Sequence, residues 1–98
     1  MSYQEQLRQH RRLTILRTLS EAQGFATNES VLHDLVTAYG FRDSRDTIRG
    51  DLAWLGEQGL VELSEPGGLM IAELTERGGD VAAGRASQPG VAKPSPKR

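Results

Sequence analysis

Ser44-Arg45-Asp46-Thr47-Ile48-Arg49-Gly50-Asp51-Leu52-Ala53-Trp54-Leu55-Gly56-Glu57-Gln58-Gly59-Leu60-Val61 is the stretch on which the architecture turns. Ser44 is an N-cap residue, and Ile48, Leu52 and Leu55 recur at i, i+4 and i+7, so the spacing predicts a helix over 44–58 with one apolar face. Gly59 stops it by supplying a left-handed residue. Asp46, Arg49, Gly50, Ala53 and Glu57 fall on the outer half of the wheel, and Arg45 flanks the helix start.

Upstream, Thr27 or Asn28 caps a second helix in which Val31, Leu32, Leu35, Val36 and Tyr39 follow helical spacing up to Gly40. Only Phe41, Arg42 and Asp43 then separate Gly40 from Ser44, and two helices joined by so short a glycine-containing turn form a helix-turn-helix. A first helix, about Tyr3 to Gln23, opens on a capping box of Ser2 and Glu5 and carries Leu13, Ile15, Leu16, Leu19 and Ala22 on one side. Downstream, the period changes. Leu60–Leu63 and Leu69–Leu74 are extended runs around Pro66-Gly67-Gly68, which is hairpin chemistry and predicts a wing. Thr75 caps a short last helix through Val81 and Ala83, although Gly78 and Gly79 each weaken it by about 1 kcal/mol relative to alanine.

The fold expected is therefore mainly α (α+β): a winged helix-turn-helix of three helices, a β-hairpin wing and a short C-terminal helix, occupying residues 1–84. Residues 85–98, with Pro89, Pro94 and Pro96 and little to bury, are expected to form a disordered basic tail.

Ninety-eight residues, 37% hydrophobic and 26% charged, suit one soluble domain and exclude a membrane span. The N-terminal segment has no apolar run that could act as a secretory signal, so the expected location is the cytoplasm of a bacterial host. Without cysteine there is neither a disulfide framework nor a thiolate metal site. Asn28-Glu29-Ser30 is formally a glycosylation acceptor, read here as a chance match. His10 and His33 lie on different helices, Glu29 and His33 make an incomplete ligand set, and no nucleophile has a base beside it. No catalytic residue, metal site, cofactor or small-molecule effector follows from the sequence, and the chain reads as a non-enzyme.

The 44–61 segment resembles the recognition helix of the GntR-type winged-helix regulators, which read Ser-Arg, a threonine, an apolar-Arg pair and a leucine ladder ending in Gly-Leu-Val. The resemblance implies DNA contacts by Ser44, Arg45 and Arg49, through phosphate at the helix N-terminus and guanidinium forks onto guanine or phosphate. Two positions depart from the pattern. Asp46 would face DNA and repel phosphate, and Gly50 stands where another basic residue is common. Over its whole length, the chain also resembles small winged-helix proteins of Mu-like phages and prophages, often labelled ArsR-like regulators. His10–Arg17, Asn28–Leu32, Asp51–Leu55, Leu74–Gly78 and the tail around Pro89-Gly90-Val91 carry that resemblance. It implies a phage origin, while cysteine-based metal sensing is excluded by the missing thiols.

The leading expectation is thus a phage transcriptional regulator whose third helix enters the major groove of DNA. Arg8, Arg11 and Arg12, the wing-tip Gly67 and Gly68, and Lys93, Lys97 and Arg98 of the tail are its auxiliary DNA or partner contacts. Dimerisation through the first and last helices accompanies it, because a single module contacts little DNA. Charge opposes this reading. Up to residue 84, eight basic side chains face thirteen acidic ones, and the other four basic residues all follow. The alternative is a protein-interaction module in phage development or assembly that binds no DNA. The two readings divide on whether Arg45 and Arg49 are free to meet a polyanion or are neutralised by carboxylates of the same chain.

Overall fold

The computed structural model describes residues 2–95, and Lys97 and Arg98 lie outside them. The chain is α+β: α1 (Tyr3–Glu21), β1 (Ala26–Asn28), α2 (Glu29–Ala38), α3 (Arg45–Glu57), β2 (Val61–Ser64), β3 (Ile71–Leu74) and α4 (Glu76–Ala83). Side-chain oxygens start all four α-helices of the described residues. Ser2 accepts from the Glu5 N–H, Asn28 from Ser30 and Val31, Ser44 from Thr47, and Thr75 from Gly78. Each satisfies backbone donors that a first helical turn leaves unpaired.

The strands form one antiparallel sheet in the order β1-β3-β2, with Thr27 and Leu63 both opposite Ala72. The β2–β3 hairpin turns through Pro66–Gly68, as its turn residues require, with Gly67 and Gly68 both at positive φ. Sequence reading did not anticipate β1. Three residues are too few to display alternation, and this strand exists because β3 offers it an edge.

Leu16, Leu19, Leu32, Ile48, Leu52 and Leu55 lie at the centre of the core, closed from below by Leu60 and Ala72 of the hairpin. α4 packs along α1 within the same chain. At Gly78, α4 also meets the residue before β2: a Cβ there would lie 2.0 Å from the Leu60 carbonyl oxygen. What the sequence shows as a weakness in a helix is the condition for its docking.

The expectation of a disordered segment beginning at residue 85 does not match the described part of the tail. After Gly84, the Arg85 and Ala86 N–H groups both donate to the Asp80 carbonyl. The chain then returns across α1 and α3, where Val91 is buried and the Ala92 N–H donates to the Gln9 carbonyl at 3.1 Å. Gly90, at φ 94°, lies so close to the Trp54 ring that a Cβ would be 2.7 Å from it, and Arg12 Nη1 donates to its carbonyl at 3.2 Å. Low apolar content argued for disorder, but one valine, one glycine on an indole and a few backbone hydrogen bonds hold this strap.

Candidate functional site

Glu29 is the first residue of α2, where a carboxylate ordinarily sits in solvent beside the helix N-terminus. Here its side chain is only 2% exposed. Oε2 accepts from the Met70 N–H at 2.6 Å, at the entry to β3, and also from Arg49 Nη1. Oε1 accepts from Arg45 Nε at 3.1 Å. Arg49 continues to the hairpin, where Nη2 lies 2.9 Å from Glu65 Oε2. One carboxylate thus joins α2, α3 and the hairpin.

The titration behaviour follows. The Met70 N–H lowers the Glu29 pKa, and this outweighs the upward push of burial, with Arg45 and Arg49 adding to the lowering. The Glu65 hydrogen bond raises Arg49 above its ordinary value against the opposing effect of burial, and Glu29 adds to the rise.

The three residues expected to contact DNA are therefore engaged within the chain. Ser44 Oγ caps α3 by accepting from the Thr47 N–H. Arg49 is held at both ends of its guanidinium, and Arg45, with 49% of its side chain exposed, is tied through Nε. Both arginines lie on the flank of α3 that turns towards α2 and the hairpin. The outward line of the helix is instead Asp46, Gly50, Ala53 and Glu57, all exposed. With Arg45 and Arg49 paired to Glu29 and Glu65, Asp46 and Glu57 are the charged side chains on that outward line.

The apparent basic patch of α1 also dissolves. Arg11 is buried, donating through Nε and Nη2 to Asp51 and placing Nη1 3.2 Å from Asp43 Oδ2. Burial alone would lower its pKa, but Asp51 and then Asp43 raise it above its ordinary value. Arg12 donates to Asp51 Oδ1 at 3.3 Å and stacks 3.9 Å over the Trp54 ring, a cation–π contact capped by the strap. Arg8 pairs with Glu5 on the surface. Gly67 and Gly68 are exposed at the hairpin tip and Lys93 on the strap. The His33 Nε2 lies 2.9 Å from the Asp43 carbonyl, so this histidine ties α2 to the turn before α3.

Sequence reasoning missed Glu29 because its partners are 16, 20 and 41 residues away. Arg11 did carry a signal, since it occupies the same helical row as Ile15 and Leu19.

A second feature lies on the opposite side of α2. Val31, Leu35 and Tyr39, at i, i+4 and i+8, are exposed, Tyr39 by 68%. With Thr18 of α1 and Ala22, the residue that ends it, they line a groove of about 410 Å³. Among the described residues, no helix is long and apolar enough to cross a membrane.

Fold and site define a small α+β protein in which Arg45 and Arg49 of α3 pair with carboxylates of the same chain and α2 carries an open apolar stripe. The chain belongs to the family of the uncharacterized protein gp26 of Escherichia phage Mu, to which it is 47% identical over 91 residues, 93% of this chain and 94% of that protein. It is also 45% identical over 78 residues to an uncharacterized protein of Haemophilus influenzae, across 79% of this chain and 76% of the relative. No family model and no solved structure matches the chain.

Proposed function

We propose that this chain is a protein-interaction module of a Mu-like phage, built on a winged helix-turn-helix scaffold and working in the cytoplasm of the bacterial host without reading DNA. The observation that carries the reading is the pairing of Arg45 and Arg49 with Glu29, which leaves Asp46 and Glu57 as the charges on the outward line of α3. A helix entering the major groove must offset phosphate charge, and that electrostatic gain supplies most non-specific affinity. This face would instead meet the polyanion with two carboxylates. The exposed stripe on α2 supports the positive half of the reading, since a patch of aliphatic and aromatic side chains rimmed by polar groups suits a protein partner.

Fluorescence anisotropy tests it, with labelled mixed-sequence duplex DNA titrated with the full chain at low and moderate salt. The expected result is no saturable binding at low salt, and no difference for Arg45→Ala/Arg49→Ala. Tight binding with a steep salt slope that the double substitution abolishes would establish the regulator reading instead.

A further inference from the structure

We infer that the groove between α1 and α2 is the seat of a second copy of this chain, filled by Tyr3 and Leu7 from the start of the partner's α1. The inference names the occupant of the surface invoked above and rests on that interaction reading.

Tyr3, Leu7, Val31 and Leu35 of α1 and α2, with Tyr39 at the C-cap of α2, are five of the seven large exposed hydrophobic residues among the described residues. At 100° per residue, Tyr3, Leu7, Thr14 and Thr18 fall within one sector of α1 about 60° wide. This solvent-facing row runs from an apolar tip to the groove. A second hollow of about 180 Å³, lined by Thr14, Arg17, Thr18, Glu21 and Tyr39, continues the groove along the row. It shares Thr18, Glu21 and Tyr39 with the larger one, so the two form a single trough.

The tip cannot fill the trough of its own chain. Leu7 and Thr18 are eleven residues apart on one continuous helix, about 16 Å along its axis at 1.5 Å per residue. A second copy can fill it. In an antiparallel arrangement of two α1 helices about a twofold axis near residues 12 and 13, Leu7 of each meets Thr18 of the other, and Tyr3 meets Ala22. Val31, Leu35 and Tyr39 then form the far wall. Each chain gives one tip and receives one, which is the isologous pattern of a closed dimer and covers two troughs at once.

Charge fits the same arrangement. Glu21 has no ion-pair partner among the described residues. The twofold places it over Tyr3 and Gln4 of the other copy, at the electropositive first turn of that copy's α1.

Because the native chain contains no cysteine, cross-linking gives a clean test. Leu7→Cys/Thr18→Cys in the full chain should form disulfide-linked dimers under mild oxidation, while Leu7→Cys/Glu62→Cys, whose second position is on β2, should not form them. Light scattering on the unmodified chain should show a dimer that dissociates on dilution, and Leu35→Asp should be monomeric with an unchanged circular dichroism spectrum. A chain that stays monomeric at high concentration, or Leu7→Cys/Thr18→Cys no more cross-linked than the control, overturns the inference. The first result would leave the trough to a different protein. Neither bears on the absence of DNA binding, which the anisotropy titration decides separately.

Discussion

Glu29 opens α2 and Arg49 lies one turn into α3, yet their side chains share a charge-assisted hydrogen bond, and Arg49 reaches on to Glu65 of the hairpin. The pair joins α2 and α3 to the sheet, and removing either partner loosens all three. Glu29→Gln should lower the melting temperature by several degrees at neutral pH. The sign with pH is set by the lowered pKa of Glu29. A depressed carboxylate contributes stability above its unfolded value, about 4.3, and that contribution is lost as pH falls through the folded value. Thermal melts from pH 7 to pH 3 should therefore converge for wild type and Glu29→Gln, and a constant gap at all pH values would contradict the assignment.

Arg11 and Asp51 make the more deeply buried pair, with side chains 9% and 4% exposed. Losing Asp51 leaves the buried Arg11 with only Asp43 to balance it, and breaking a buried pair costs up to about 3–5 kcal/mol. Asp51→Ala should be destabilised by that order in urea unfolding. Arg11→Met/Asp51→Leu should recover much of the loss, because both charges go together. A double variant as unstable as the two single changes combined would show that the pair is not a unit.

Gly78 marks a backbone contact between α4 and the Leu60 carbonyl that no side chain can share. Gly78→Ala raises helix propensity by about 1 kcal/mol, yet it should destabilise the protein by more than that, by about 1–3 kcal/mol as overpacking does. Gly79→Ala, where the added Cβ has ordinary contact with Leu74, should be neutral or stabilising. Chemical denaturation of the two variants compares them directly.

How much of this was legible in the sequence follows from the range of each interaction. Caps at Ser2, Ser44 and Thr75 and the apolar row of α3 act within a single turn or helix, so a local reading finds them. Glu29 looked like any first-turn acid, because nothing within ten residues tells of Arg45, Arg49 and Met70. In the sequence Arg12 counts towards a basic surface, because formal charge does not say which way a side chain points. β1 and the strap depend on surfaces that other segments provide, β3 for one and Trp54 for the other, and neither segment has a pattern of its own.

The strap offers a spectroscopic check, since Trp54 is the sole tryptophan. A Cβ at Gly90 would lie 2.7 Å from the indole, and the residue holds a positive φ besides. Gly90→Val should lift residues 85–95 from the body, shift the tryptophan emission to longer wavelength and lower the melting temperature. An emission spectrum identical to wild type would mean that the strap does not cover the ring in solution.

If Arg45 and Arg49 serve the fold, a thermal melt of the full chain and of Arg45→Ala/Arg49→Ala, each with and without excess duplex DNA at low salt, separates that role from DNA binding, because a ligand that binds the native state raises its melting temperature. We expect the variant to melt several degrees below wild type and DNA to move neither transition. A wild-type transition raised by DNA, beside a variant of undiminished stability that DNA leaves unmoved, would contradict it.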